Sequence, residues 1–353
     1  MSAHTDFSKQ ELPDRIETEE ELDDFLTRPG SALIEFIKSL ASPLLILGAG
    51  GKMGPTLAVL ARRAAQAANH PLDVLAVSRF RDSKARAWLE KHQVRTISCE
   101  LLDAQALQSL PSAPNIIYLV GQKFGTSQAP ASTWASNTLV PARVSERYPQ
   151  ARIVALSTGN VYPPSEIERC GSLETDLLTP LGEYANATVG RERIFQFFSE
   201  RLGNKVTLLR LFYAVELRYG VLVDLAQKLE LGQPIELTNG YFNCIWQGDA
   251  NDLALRSVSL ADSPPSVWNL CRPELFSVRA TAARLGELLG KTPHFTGKEE
   301  STALLGNSSR ICASLGPPAV SLESMLRWIA DWVKQGGRTL GKPTHFEVRD
   351  GKY

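Results

Sequence analysis

Three glycines, Gly48, Gly51 and Gly54, stand at fixed spacing in LLILGAGGKMGPTLAVLARR, between an apolar run and a helix-like one. In that context the chemistry is pyrophosphate binding. Gly48 permits a tight turn, Gly51 lets the backbone approach the anion, and Gly54 lets helix and strand pack closely, with the helix N-terminus aimed at the charge. Lys52 and Met53 fill the same turn and are expected at the cofactor. At the end of the next apolar run, where a carboxylate suits the ribose of NAD, the chain has Ser78-Arg79 with Arg81 two residues on. A guanidinium offers planar, bidentate donors to a 2′-phosphate, and Lys52 offers a second positive group. These residues favour NADP over NAD. The alternatives are that Arg79 and Arg81 are solvated loop charges, or that Arg79 stacks on the adenine.

The elements that must position these groups are legible as a rhythm. From Pro43 onward, strand-length apolar runs (PLLILG, DVLAVS, VRTIS, NIIYLVG, RIVALST, VTLLRLF) alternate with helical stretches, which implies parallel strands covered by helices on both faces. The expected fold class is α/β, a doubly wound parallel Rossmann sheet with a smaller mixed C-terminal substrate domain. Residues 1–42 read as a helical appendage, with Thr18 and Glu21 suited to a capping box and Pro29-Gly30 to a stop. The dinucleotide-binding domain is expected over 43–213 and the substrate domain and tail over 214–353, with about 243–272 returning to the first. A helix from Ser277 to Leu289 closed by Gly290 is expected, and a late one whose Trp328 and Trp332 are packing residues.

Composition narrows the function. Lys plus Arg and Asp plus Glu each number 38, so the formal net charge is zero and nothing electrostatic points to nucleic acid or an anionic membrane surface. The N-terminus is polar and acidic, and no apolar run approaches the roughly 18 residues of a membrane span. A cytoplasmic location and a small-molecule ligand follow as expectations, and a homodimer is compatible with them. Five scattered cysteines without a CxxC read as buried thiols, and no metal site is expected.

Several segments in a fixed order resemble the extended short-chain dehydrogenase/reductase family of NAD-dependent epimerases and dehydratases, over roughly residues 43 to 335. They are the Gly48-x-x-Gly51-x-x-Gly54 loop, SCELLDAQAL after the third strand, LVGQKFG after the fourth, Asn137 in the next helix, STGNVY, and EYANATVGRE. The resemblance implies an adenine pocket at Glu100 and Leu101, with Glu in place of the usual Asp, and cofactor contacts at Val120 and Gly121. It implies a catalytic trio at Thr158, Tyr184 and Thr188, the last standing where the family has the Lys of Tyr-x-x-x-Lys. An unperturbed tyrosine titrates near 10, so proton transfer near neutrality is helped by a neighbouring cation. Thr188 can hydrogen-bond a ribose hydroxyl but carries no charge. Arg191, seven residues beyond Tyr184 and on the same side of a helix, and Lys123, in the loop after the fourth strand, are the substitute cations, although helix arginines usually reach solvent.

On the substrate side, LRLFYAVELRYG puts Tyr213, Glu216 and Leu217 where nucleotide-sugar members of the family have Asn, Gly and Pro, which argues against such a substrate. Arg218 and Tyr219 could bind a carboxylate or sugar hydroxyls. Tyr241, Asn243, Trp246, Gln247 and Asp249 suit either a polyol site or an interdomain contact. The balance favours an NAD(P)-dependent oxidoreductase or epimerase acting on a small hydroxylated metabolite such as a sugar or sugar acid. Its rivals are a non-catalytic NAD(P)-binding sensor or scaffold, and a cofactor-retaining lyase or epimerase with another base.

Overall fold

The computed structural model describes residues 12–121, 128–342 and 344–351. Its main sheet has seven strands: β1 (Leu44–Leu47), β2 (Val74–Ser78), β3 (Arg95–Ser98), β4 (Asn115–Tyr118), β5 (Arg152–Thr158), β6 (Lys205–Leu211) and β7 (Ser266–Leu270). Every pairing is parallel, in the order β3-β2-β1-β4-β5-β6-β7. The winding reverses between β1 and β4, and the loops leaving those strands diverge to open a crevice at the carboxyl edge. The doubly wound Rossmann sheet expected from the sequence is therefore present.

Alternation along each strand sorts its side chains between two layers. Leu44, Ile46, Ala76, Ile117 and Val154 pack beneath the Gly54–Ala67 and Gln247–Arg256 helices. Leu45, Leu47, Leu75, Ile116 and Ile153 face the Pro130–Arg147 and Gly182–Leu202 helices, meeting Val140, Val144 and Phe195. With helices on both faces, all four residues of β1 are buried, which is why it reads as unbroken LLIL. Each buried Leu, Ile, Val or Phe side chain contributes about 1.5–3 kcal/mol by leaving water. Asp82 and Asp103 cap the helices that follow β2 and β3, accepting from backbone N–H groups of the first turn.

A second core gathers the Val221–Glu230, Val278–Leu289 and Leu322–Lys334 helices. Two-residue strand pairs make it mixed: Tyr241–Phe242 runs antiparallel to Phe276–Ser277, and Ile235–Glu236 parallel to Phe295–Thr296. The helix expected from Ser277 begins with that residue as N-cap and closes at Gly290 in the left-handed region, φ 71°. Trp328 and Trp332 are buried packing residues, as expected.

Two features differ from the sequence reading. The N-terminal segment is no loose appendage: Ile16, Leu22, Phe25 and Leu26 are buried in the second core, and Trp328 Nε1 donates to the Pro13 carbonyl at 2.8 Å. The Thr18–Glu21 capping box does form. The cysteines are free, but Cys170 is exposed whereas Cys99, Cys244 and Cys271 are buried. Among the described residues no helix is long and apolar enough to cross a membrane.

Candidate functional site

The glycine loop is dictated by close backbone approach. Gly48 has φ +84°, and a Cβ there would stand 2.9 Å from the Val120 nitrogen; one on Gly54 would stand 2.5 Å from the Ala49 carbonyl oxygen, and one on Gly50 2.6 Å from Ser78 Oγ. No larger residue fits these three positions without displacing neighbours. The loop delivers the chain to the N-terminus of the Gly54–Ala67 helix, whose first residues, Gly54, Pro55 and Thr56, line a crevice of about 820 Å³. A cradle of this kind, closed to side chains and open to an anion, fits a dinucleotide.

The crevice continues into a recess of about 360 Å³ lined by Ser78, Arg79, Arg81, Glu100, Leu101 and Val120, with Gly48, Gly51 and Gly121 shared between the two. Arg79 is half exposed and lies 3.4 Å from Glu100, which also accepts from the Leu102 N–H at 3.1 Å. An exposed pair of this kind holds its partners weakly, so the guanidinium can turn to a phosphate at little cost. Lys52 does not join it. Its ammonium donates to the Ala214 carbonyl at 2.9 Å and lies 4.1 Å from the centre of the Tyr219 ring, at the opposite end of the crevice. The expected second positive group for a 2′-phosphate is corrected accordingly: Lys52 serves the other end, because the chain after β6 returns there.

At that end Thr158 closes β5 and Tyr184 opens the first turn of the Gly182–Leu202 helix, and both line a recess of about 150 Å³ together with Lys52, Met53 and Tyr219. Thr158 is buried, and its hydroxyl accepts from the Asn160 N–H at 3.3 Å. Burial, joined by the charges of Asp224 and Tyr184, raises the Tyr219 phenol well above its ordinary value. Thr188 has no exposed surface and lines neither cavity; its hydroxyl donates to the Tyr184 carbonyl one turn back, at 2.8 Å. Its proton is committed to the helix backbone, which argues for a structural role in place of the expected ribose contact.

Arg191, named from the sequence as a substitute cation on the Tyr184 side of its helix, faces the same crevice as Tyr184 and does not reach solvent. It is 4% exposed and lines the crevice; Nε donates to Asn137 Oδ1 at 2.9 Å, Nη2 to the same oxygen, and Nη1 to the Leu156 carbonyl. Asn137 is itself fixed through Nδ2 to the Thr133 carbonyl at 2.8 Å. Lys123, the other substitute cation, lies outside the described residues. Beneath the site the next residue, Glu192, accepts from Arg210 at 2.7 and 3.0 Å and from Ser157 Oγ. Arg210 also donates to the Tyr162 hydroxyl at 2.6 Å, and burial pushes that phenol up to about 12. This buried network ties the ends of β5 and β6 to the helix that carries Tyr184.

Arg218, expected to meet substrate, is occupied instead. It pairs with Glu216 and Asp23 at 3.0 Å and Glu19 at 3.2 Å, binding the N-terminal helix to the turn after β6. Trp246 is core, Asn243 donates to the Glu274 carbonyl at 3.0 Å, Gln247 donates to Thr56 at 3.0 Å, and Asp249 accepts from the Val320 N–H at 2.9 Å, so these four side chains are engaged in packing and internal hydrogen bonds. Sequence reasoning missed the wall of the smallest recess, which includes Leu304 and Thr344. The aperiodic tail carried no signal beyond being able to wrap the body.

Sheet order, glycine loop and crevice define a dinucleotide-binding protein of the Rossmann type. The family model described as "NAD dependent epimerase/dehydratase family" matches residues 44–240, and the chain belongs to that family of nicotinamide-dependent enzymes. Among solved structures it is similar to the UDP-glucose 4-epimerase of Thermotoga maritima with UDP-glucose (17% identity, 83% of this chain and 99% of that one, TM-score 0.66). It is also similar to the dTDP-glucose 4,6-dehydratase of Bacillus anthracis with NAD (13%, 84% and 97%, TM-score 0.68) and to RMD of Pseudomonas aeruginosa with NADPH (18%, 82% and 98%, TM-score 0.63). These likenesses establish the shared fold. Comparison with curated protein sequences gives no significant match.

Proposed function

We propose that the protein is an oxidoreductase or epimerase that prefers NADP to NAD and acts on a small hydroxylated metabolite. One observation carries this reading: Thr158 and Tyr184 line a single recess that shares Lys52, Met53, Ser157 and Tyr219 with the dinucleotide crevice. The backbone of Gly48, Gly51 and Gly54 cradles the pyrophosphate, Arg79 and Arg81 with Ser78 receive the 2′-phosphate, and Glu100, Leu101, Val120 and Gly121 flank the adenosine. The bound nicotinamide supplies the capacity to accept or donate a hydride at the reacting carbon.

The chain's own groups handle the oxygen. Tyr184 gives or takes the proton of the reacting hydroxyl, and Thr158 orients that hydroxyl. With no lysine in the motif helix, the substitute cations are the Lys52 ammonium in the same recess and the Arg191 guanidinium in the adjoining crevice. Calorimetric titration of the nucleotide-free protein with NADPH and NADH tests the cofactor side. Tighter NADPH binding supports the reading; an NADH preference removes the phosphate assignment, and failure of both to bind removes the function.

A further inference from the structure

We infer that Phe80 is a positioning residue for cofactor choice: its left-handed backbone turns Arg79 and Arg81 into one recess, and its ring clamps that turn against the glycine loop. The inference rests on the NADP preference proposed above and names what enforces it. The backbone is the first argument. Phe80 has φ +43°, in the region that glycine enters freely and that a side chain of this size rarely adopts. An extended strand sends successive side chains to opposite faces, yet after β2 the whole run of residues 78–82 lines the recess. The turn at Phe80 breaks the alternation, and Arg79 and Arg81 come to share a wall with Glu100.

The ring is the second argument. A glycine at this position would make the same turn without strain, so what the phenyl group adds is contact. It is half-buried between exposed Arg79 and Arg81 and packs against the core beneath the Gly54–Ala67 helix. Its Cδ1 lies 3.8 Å from the point where a Cβ of Gly50 would stand. The loop that carries two guanidinium groups is thereby fastened to the loop that cradles the pyrophosphate. An arginine already held near its bound geometry loses less freedom when a phosphate arrives. NADH has no 2′-phosphate and gains nothing from this arrangement.

The third argument is where strain gathers. Residues held in sparsely populated backbone regions cluster at ligand sites, where the surrounding structure enforces them. Of the non-glycine residues with positive φ among those described, the two bulkiest are Phe80 and Tyr213. Phe80 lines the recess at the Arg79 end of the crevice, and Tyr213 the one at the Tyr184 end.

The test measures dissociation constants for NADPH and NADH by calorimetry on the full-length wild type and three variants, with urea unfolding to show that each variant folds. Phe80→Val places a branched Cβ that resists the left-handed region, and Phe80→Gly keeps the turn but loses the ring. Each is expected to lower the ratio of NADPH to NADH affinity by about tenfold or more, the worth of a bidentate phosphate contact. Phe80→Tyr should keep most of the ratio, and Phe80→Gly decides should Phe80→Val fail to fold. A merely structural Phe80 would weaken both nucleotides alike and leave the ratio at its wild-type value, which overturns the inference. A ratio kept in Phe80→Gly overturns it as well, since the turn alone would then suffice, and so does a ratio lost in Phe80→Tyr. A wild type that prefers NADPH while the variants keep its ratio leaves the cofactor reading standing; a wild type without that preference removes the reading and the inference together.

Discussion

The Nη2 atom of Arg191 stands 2.7 Å from the point where a Cβ of Gly121 would be, so the glycine after β4 is matched to an arginine two helical turns beyond Tyr184. Among the described residues the arginine's hydrogen-bond partners, Asn137 and the Leu156 carbonyl, are both uncharged. A buried guanidinium in that state is poised for an anion in the crevice. Arg191→Met is expected to weaken dinucleotide binding about tenfold or more, and to cost on the order of 2–5 kcal/mol of stability by stranding two buried acceptors. Calorimetry and urea unfolding measure the two effects separately. Unchanged nucleotide affinity would leave Arg191 with a structural role only.

Arg79→Ala should raise the dissociation constant for NADPH by about tenfold or more, the worth of a bidentate phosphate contact, and that for NADH by less than about threefold. Equal losses for both cofactors would mean that Arg79 stacks on the adenine instead.

Tyr184→Phe should lower kcat by about 10²–10⁴ with NADPH affinity retained, as expected when a proton-transfer group is removed. Thr188→Val should cost about 1 kcal/mol of stability through its lost helix hydrogen bond and leave cofactor affinity unchanged. A marked loss of nucleotide binding in Thr188→Val would return that residue to the ribose.

Arg218→Met leaves Glu19, Asp23 and Glu216 clustered without their shared cation. A loss of about 3–5 kcal/mol at neutral pH is expected, with faster proteolysis ahead of the Glu19–Leu26 helix. Arg338→Met, whose side chain is 56% exposed in its pair with Glu19, should cost far less. Equal effects would contradict the assignment of Arg218 as the anchor.

Burial pushes the Asp249 carboxyl up from 3.8 to about 6, against the opposing pull of the Val320 N–H and Arg272, with Asp252 adding to the rise. The folded state then binds the proton more tightly than the unfolded state between about pH 4 and 6. Stability contributed by protonated Asp249 is full below that window, declines as pH rises through it, and is flat above. Asp249→Asn should remove this decline, a difference of up to about 3 kcal/mol between pH 4 and pH 7 in urea unfolding relative to wild type. Parallel pH profiles for the two proteins would place the carboxyl at its ordinary value.

Much of the fold was legible because local physics dictated it. Gly54 is required by a backbone contact within the βα unit itself, Gly48 by its positive φ in the turn that ends β1, and β1 is continuously apolar because helices cover both its faces. Thr158 and Tyr184 were found through the order of motifs, which fixes the strand end and helix start that bring them to one recess. The direction of Lys52 was not legible, since it depends on Ala214 and Tyr219, more than 160 residues away. Arg191 could be placed on the Tyr184 side of its helix by spacing, but spacing does not tell whether that side meets solvent or protein. β7 has no alternating pattern to announce it, because Trp268, Asn269 and Leu270 are buried in succession.

The docking of the N-terminus has a consequence for biogenesis. Pro13 is bonded to Trp328, and Glu19 to Arg338, across 315 and 319 residues of chain. At a synthesis rate of roughly 5–20 residues per second, Phe25 and Leu26 leave the ribosome about 15–60 s before those partners exist. The Glu19–Leu26 helix therefore waits as exposed apolar surface until the Leu322–Lys334 helix arrives, and chaperone demand during translation should fall when Phe25 is made polar even though the finished protein is weakened.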